Sequence, residues 1–149
     1  METESLVIRQ ARIIDPSRDL DQVGDILIGN GEILATGSLG SDSIPDGTRV
    51  IDGTGLVVAP GFIDLHCHLR EPGFEYKETI AAGSRAGAKG GFTTLCAMPN
   101  TDPPIDNAAV VEFIQQKARQ DSKVRILPIG CVTKGRKGYE LSEMEELAS

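Results

Sequence analysis

The sequence has no excess of basic side chains and no long apolar run. Its 149 residues include 15 Lys and Arg against 22 Asp and Glu, a formal net charge of −7. Proteins that bind nucleic acid neutralise phosphates with basic side chains, so this charge disfavours nucleic acid as a partner. Apolar stretches such as GLVVAPGFI stop well short of the roughly 20 residues that a membrane span requires, and METESLVIRQ lacks the features of a secretory signal. We therefore expect a cytoplasmic protein with no membrane partner.

Cysteine and histidine are also scarce. The three cysteines are odd in number and form no CxxC motif: Cys67, Cys96 and Cys131. A disulfide framework is therefore not expected, and because each cysteine sits in an apolar segment we expect buried, reduced thiols. The chain has only two histidines, and both lie in GFIDLHCHLREPG, residues 61–73. This segment is the first candidate for a functional site.

The rest of the composition is that of a soluble globular protein, 40% hydrophobic and 25% charged. Residues 1–58 are predicted to form short strands joined by turn-rich loops, with a hairpin signal at Gly29–Gly31, so we expect a small β module. From residue 59 onward, predicted strands alternate with predicted helices, which indicates a parallel sheet. The strands are GFIDLHCHL, FTTLCAMPN and VRILPIGCVT, and the helices are TIAAGSRAGAKGG and AAVVEFIQQKARQ.

Two helix predictions depend on particular residues. The second helix is expected to be amphipathic, with its apolar face at Val110, Phe113, Ile114 and Ala118. Ser142 and Glu145 form the S-x-x-E pattern of a capping box, so we expect a last helix within ELSEMEELAS.

The two histidines lie near the end of the first strand of the parallel sheet, where such sheets hold their ligands. Side chains in a strand alternate in direction at about 3.3 Å per residue, so His66 and His68 should point the same way with Cα atoms about 6.6 Å apart. Two imidazoles at that spacing can converge on one ion, since each Zn–N bond is about 2.0–2.1 Å long. The pattern favours a metal site, and a structural role for the histidines is the alternative. The same alternation adds Asp64 and Arg70 to this face and places Ile63, Leu65 and Cys67 on the other.

The ligands in the sequence are too few for a catalytic zinc, which needs three from the protein. There is no third histidine, and Cys67 is expected to face away from the pair. Asp64 is expected on the histidine face, either as a ligand or as a hydrogen-bond partner of a histidine N–H. The sequence therefore predicts part of a metal site.

The segment GFIDLHCHLREPGFEYKETIAAGSRAGAKGGFTTLCAMPNTDPPID closely resembles the signature region of bacterial dihydroorotases, which belong to the amidohydrolase superfamily. LVVAPGFID is similar to the superfamily's usual passage from a small β domain into a (β/α)8 barrel. The resemblance extends over essentially the whole chain. Hydantoinases, dihydropyrimidinases and allantoinases share the HxH and GGFTT motifs, but they do not usually carry the Arg of HLREPG or the MPNT that ends the second strand.

The resemblance implies an α/β fold, the N-terminal part of an amidohydrolase (β/α)8 barrel preceded by a small β-sandwich-type module. Residues 1–58 would be the N-terminal portion of the small β domain, and residues 59–149 the first βα units of the barrel. A complete barrel takes about 250 residues, and the roughly 90 present here suffice for three units. The chain is therefore expected to be an N-terminal portion of the enzyme that is inactive alone.

The resemblance also implies roles for four residues. His66 and His68 would bind zinc, as one or two ions, while Arg70 and Asn100 would hold the substrate carboxylate. No catalytic residue is expected in this chain, because the family's proton-transferring aspartate lies on a late strand, which would be beyond Ser149. The residues alone leave other roles open. Arg70 could form an ion pair with Glu71 or Glu75, and Asn100 could be a turn former ahead of Thr101 and Pro103.

The implied reaction is the reversible, zinc-dependent cyclisation of N-carbamoyl-L-aspartate to L-dihydroorotate in pyrimidine synthesis. The implied partners are this small-molecule substrate, a second subunit in a homodimer, and aspartate transcarbamoylase. One alternative is a non-catalytic homologue that assembles with aspartate transcarbamoylase, which the presence of all four residues disfavours. The other is a cyclic amidohydrolase of the hydantoinase or allantoinase type, which Arg70 disfavours.

Overall fold

The computed structural model describes residues 5–148, an α/β chain that divides into two compact units after Pro60. The first unit contains strands and short 3₁₀ turns, and the second contains parallel strands alternating with helices. Across residues 5–148, none of the helices is both long enough and apolar enough to cross a lipid bilayer.

The first unit is a five-stranded sheet built around its first strand. Its strands are β1 (Ser5–Asp15), β2 (Leu20–Gly29), β3 (Glu32–Gly37), β4 (Arg49–Asp52) and β5 (Val57–Val58). The strand order is β3-β2-β1-β4, and β5 also pairs with β1. The β1–β2 and β2–β3 pairs are antiparallel, whereas β4 and β5 run parallel to β1. Asn30 and Gly31 connect β2 to β3 with φ angles of 55° and 78°, which confirms the predicted hairpin.

A buried carboxylate holds an irregular part of this sheet together. The register between β1 and β2 shifts between Ile8 and Ala11, where Gln10 has a φ of 57°. Asp25, only 2% exposed, accepts hydrogen bonds from the Gln10 N–H at 3.0 Å and the Leu39 N–H at 3.1 Å. The Arg9 guanidinium donates to the same carboxylate at 3.0 Å. Burial alone would raise the pKa of Asp25, but these donors outweigh it and hold the pKa below its ordinary value.

We expect Asp25→Ala to destabilise the chain by about 3 kcal/mol, because it leaves Arg9 and two backbone N–H groups without their acceptor. The carboxylate with a lowered pKa stabilises the fold above about pH 4, and this contribution is lost as the pH falls through the folded-state pKa. Urea unfolding at neutral and acidic pH measures both effects. Asp21→Ala is the control, since Asp21 pairs with Arg12 on the exposed surface. Equal unfolding midpoints for the two variants would contradict the assignment.

The second unit is a three-stranded parallel sheet with order β6-β7-β8, which confirms the predicted alternation. Its elements are β6 (Phe62–Cys67), α1 (Ile80–Lys89), β7 (Phe92–Ala97), α2 (Ala108–Asp121), β8 (Arg125–Pro128) and α3 (Met144–Leu147). The strand β8 ends earlier than predicted. The Ile129 N–H still donates to the Ala97 carbonyl of β7, and the chain then leaves the sheet, with the Cys131 N–H donating to the Ile105 carbonyl instead.

Both longer helices begin at side-chain caps. The Thr79 hydroxyl accepts from the Ala82 N–H at the start of α1, and the Asn107 side chain accepts from the Val110 N–H at the start of α2. A core of aliphatic side chains lies between these helices and the sheet: Leu69, Ile80, Leu95, Ala97, Ile105, Val110, Ile114 and Ile126. This packing fixes the carboxyl ends of β6 and β7 relative to the two helices.

Two of the helix predictions were wrong in detail. Phe113, expected on the apolar face of α2, is 44% exposed, whereas Val110 and Ile114 are buried. The predicted capping box is absent from α3, since its N-cap is Glu143 without a side-chain cap. The Ser142 backbone instead bonds to Val132, and its buried hydroxyl has no hydrogen-bond partner within residues 5–148.

Candidate active site

A bulge in β6 determines which of its side chains share a face. Asp64 pairs with Leu95 and Cys67 pairs with Ala97, so three steps along β6 match two steps along β7. One extra residue reverses the alternation of side chains. Asp64 and Cys67 consequently line the same pocket beside α1, together with His68. The prediction that Asp64 shares the histidine face assumed a regular strand, which the bulge interrupts, although His68 does line the same pocket as Asp64.

The Asp64 carboxylate does accept a hydrogen bond from a histidine N–H, but from the backbone rather than the ring. The Asp64 Oδ1 lies 2.9 Å from the His66 backbone nitrogen. This bond closes the bulge and supports the strand end that carries the histidines. Within residues 5–148, no three side chains of His, Cys, Asp or Glu are grouped closely enough to hold a metal ion. Asp64 thus supports the backbone and does not complete a ligand set.

The ring of His66, within the bulge, and the ring of His68, just after β6, meet edge to face. Their centroids are 5.3 Å apart with an interplanar angle of 70°. Two imidazoles that share a tetrahedral zinc through bonds of about 2.0–2.1 Å have centroids roughly 5 Å apart. His66 and His68 therefore fit as two ligands of one zinc ion, with further ligands required from elsewhere.

Asn100 meets the second histidine. The His68 Nδ1 and the Asn100 Oδ1 are 2.8 Å apart. His68 directly follows β6 and Asn100 lies three residues beyond β7, so parallel pairing brings both to the same edge of the sheet. Because an amide oxygen only accepts, the ring proton belongs on Nδ1, which leaves Nε2 free to bind a metal.

Arg70 occupies a tight turn just beyond His68. Its φ is 63°, and the Glu71 N–H donates to the Leu69 carbonyl at 2.8 Å, closing a three-residue γ-turn. The Arg70 guanidinium forms no hydrogen bond or ion pair with any residue from 5 to 148. The alternative of pairing with Glu71 or Glu75 is not observed, since those carboxylates accept from the Ile80 and Gly73 backbone N–H groups.

The loops that carry these residues are held together by their backbones. The β6–α1 loop (residues 68–79) accepts a hydrogen bond at the Pro72 carbonyl from the Asp102 N–H, at 3.0 Å, in the β7–α2 loop (residues 98–107). Gly73 has a φ of 93°, and a Cβ at this position would overlap the Asp102 carbonyl. Only glycine allows this close approach. The sequence analysis assigned no role to Gly73, although a glycine directly after a proline in the REPG motif is a signal for a turn.

The cysteines contribute no ligand to this site. All three are unpaired, as predicted; Cys131 is buried, whereas Cys67 and Cys96, which were also predicted to be buried, are only half-buried. Burial, with a smaller contribution from the Asp64 charge, raises the pKa of the Cys67 thiol to about 11. Its Sγ donates to the Cys96 carbonyl at 3.4 Å. Cys67 therefore remains a protonated thiol at neutral pH.

Comparison with known proteins gives the family. Residues 55–149 match the family described as dihydro-orotase-like, and the chain belongs to this family. It is 50% identical over 143 residues to the dihydroorotase of Citrifermentans bemidjiense, covering 96% of this chain and 33% of that protein. It is 49% identical over 139 residues to the dihydroorotase of Caldicellulosiruptor saccharolyticus, covering 93% and 32%. The chain thus spans about a third of the length of these curated relatives and corresponds to their N-terminal part.

Solved structures of hydantoinases and dihydropyrimidinases have a similar fold. The L-hydantoinase (dihydropyrimidinase) from Arthrobacter aurescens matches with a TM-score of 0.76 and 26% identity, covering 86% of this chain and 28% of that one. The dihydropyrimidinase from Brevibacillus agri matches with a TM-score of 0.72 and 26% identity, covering 96% and 30%. This chain therefore has the fold of the N-terminal part of these amidohydrolases.

We expect Gly73→Ala to destabilise the second unit and to separate the two loops, because the added Cβ overlaps Asp102. Gly138→Ala is the matched control, since Gly138 also has a positive φ, 78°, but has open space at the Cβ position. Gly138→Ala should lower the free energy of unfolding by about 1 kcal/mol through backbone strain, and Gly73→Ala should lower it by clearly more. Thermal unfolding compares the two, and hydrogen exchange at the Asp102 N–H should accelerate only in Gly73→Ala. Equal destabilisation would contradict the proposed close approach.

Proposed function

We propose that this chain is the N-terminal part of a dihydroorotase, which interconverts N-carbamoyl-L-aspartate and L-dihydroorotate in pyrimidine synthesis. The observation that carries the proposal is the arrangement of His66, His68 and Asn100 at the carboxyl ends of two parallel strands, with an unpaired Arg70 two residues beyond His68. Relatives that are 50% identical are named for the same activity. As part of a cytoplasmic metabolic enzyme, the chain would act on a small molecule.

The complete protein would close residues 61–148 into a (β/α)8 barrel and residues 5–60 into a β-sandwich with strands from the rest of the chain. Exposed apolar side chains on the sheet of the second unit support this. Ile63 and Leu65 are 61% and 73% exposed, and Leu127 is 45% exposed. Side chains of this kind are expected to be covered in a finished fold. Three of eight strands cannot provide a complete site, which agrees with an inactive isolated chain.

The residues present would supply two of the ligands for one or two zinc ions. When bound, zinc would lower the pKa of a water molecule and polarise the ring carbonyl. His66 and His68 would bind the metal, and Asn100 would fix the ring orientation and tautomer of His68. The remaining ligands and the proton-transferring aspartate would lie beyond Ser149.

Arg70 would bind the carboxylate that distinguishes dihydroorotate from an uncharged cyclic amide. A guanidinium presents parallel N–H donors that match a carboxylate, and the Asn100 Nδ2 can donate beside it while its Oδ1 holds His68. The fold similarity to hydantoinases keeps hydrolysis of another cyclic amide as the second candidate, and the unpaired guanidinium favours the carboxylated ring. A homodimer and an assembly with aspartate transcarbamoylase remain proposals that sedimentation of the full-length protein would test. A non-catalytic homologue in such an assembly would show no turnover.

Zinc binding by the histidine pair is tested by His66→Ala and His68→Ala in the full-length protein. Each variant removes a ligand, so we expect zinc content to fall and dihydroorotate hydrolysis to decrease by orders of magnitude. Elemental analysis and an absorbance assay measure the two quantities. Gln116→Ala, on the exposed side of α2, is the control. Unchanged zinc content and turnover in both histidine variants would disprove the metal site.

Carboxylate binding by Arg70 is tested by Arg70→Lys, which keeps the charge and removes the paired donors. We expect kcat/KM for dihydroorotate to fall by about 10- to 100-fold, with zinc content and thermal midpoint unchanged. The same substitution at Arg85, exposed on α1, is the matched control. Wild-type kcat/KM in Arg70→Lys would show that this side chain does not bind the substrate.

A further inference from the structure

Glu71 is a buried carboxylate that the sequence analysis named only as a possible ion-pair partner of Arg70, a pairing that is not observed. It is 6% exposed, and it directly follows Arg70 in the β6–α1 loop. Acidic side chains are rarely buried to this extent unless they are paired and hydrogen-bonded. The contacts of this carboxylate therefore indicate what its burial achieves.

Both longer helices of the second unit, α1 and α2, contact this carboxylate. The Glu71 Oε2 accepts a hydrogen bond from the Ile80 N–H at 2.8 Å, at the first turn of α1. The Lys117 ammonium on α2 lies 3.9 Å from the Glu71 Oε1 and 2.8 Å from Asp121. A negative charge at a helix N-terminus is also favoured by the helix dipole. Glu71 is thus fixed to the rigid part of the unit.

Capping of α1 alone does not account for the location of Glu71. This helix has its own N-cap, Thr79, which accepts from the Ala82 N–H. The contacts of Glu71 also fix the backbone one residue after Arg70 to the two helices. Leu69, 4% exposed in the aliphatic core, is the attachment point on the other side.

The backbone conformation of Arg70 is unfavourable, so the residues on both sides of it must be held in place. A positive φ at a residue other than glycine persists only when the surrounding structure enforces it. Here the buried Leu69 and Glu71 enforce it, and the Arg70 side chain projects from the turn with no partner among residues 5–148. Holding the turn fixes the direction of the Arg70 Cα–Cβ bond, so the backbone does not have to reorganise when the guanidinium binds an anion.

We propose that Glu71 is a positioning residue for Arg70, which holds the turn so that the guanidinium is oriented towards the substrate carboxylate. This inference rests on the proposed function, since it takes the ligand of Arg70 to be the carboxylate of the dihydroorotate ring. It differs from a purely structural role, in which Glu71 would only stabilise the start of α1.

The test is equilibrium binding of orotate, the unsaturated counterpart of dihydroorotate that keeps the ring carboxylate, to the zinc-loaded full-length protein. Calorimetry compares wild type with Glu71→Ala, Arg70→Met and the double variant. We expect Glu71→Ala to raise the Kd at least about tenfold, and the double variant to bind no more weakly than Arg70→Met alone. Thr79→Ala is the matched control, because it removes the other side-chain acceptor at the start of α1 without touching Arg70.

The possible outcomes distinguish failure of the positioning role from failure of the proposed function. Equal Kd values for Glu71→Ala and Thr79→Ala, or additive losses in the double variant, would overturn the positioning role and leave a structural one. If Glu71→Ala does not fold, Glu71→Gln keeps the side-chain size and an acceptor for the Ile80 N–H. A several-fold rise in its Kd, absent in the Arg70→Met background, is then expected. Wild-type protein that neither binds orotate nor hydrolyses dihydroorotate would overturn the proposed function itself.

Discussion

The hydrogen bond between His68 and Asn100 joins two residues that are 32 positions apart in the chain. It forms because β6 and β7 are parallel neighbours whose carboxyl ends meet, with the Met98 N–H donating to the Cys67 carbonyl at 2.8 Å. A shift of one residue in this register would separate the ring from the amide and would turn the strand-end side chains to the opposite face. The loop contacts beyond it depend on the same register.

Much of this arrangement could be predicted from local sequence patterns. The Asn-Gly turn, the alternation of strands with helices and the location of the histidine pair near a strand end are encoded within a few residues each, and local chemistry decides them. The meeting of His68 with Asn100 follows from topology, because carboxyl ends of adjacent parallel strands lie at one edge. The resemblance added roles for Arg70 and Asn100 that the residues alone left open.

What could not be predicted depends on contacts between distant segments. The bulge between Asp64 and Cys67 arises from the pairing of β6 with β7, and alternation within β6 contains no sign of it. The early end of β8 reflects the Ile105 carbonyl, which takes the Cys131 N–H. Nothing in the sequence around Glu71 distinguishes it from an ordinary surface residue. Its burial is explained by its contacts with the Ile80 N–H and the Lys117 ammonium. Ser142 matched a capping pattern, but its backbone N–H donates to the Val132 carbonyl instead of starting the helix.

If Arg70 binds a carboxylate as proposed, its positive φ places stability and binding in conflict at a single position. Glycine would adopt this backbone geometry without strain and would relieve about 1 kcal/mol or more, but it carries no guanidinium. Selection for thermal tolerance alone would therefore favour a residue that cannot recognise an anion. Efforts to make this protein more heat-resistant should leave the turn unchanged and seek their gains in the helices or in the first sheet, where backbone preference and ligand recognition do not compete.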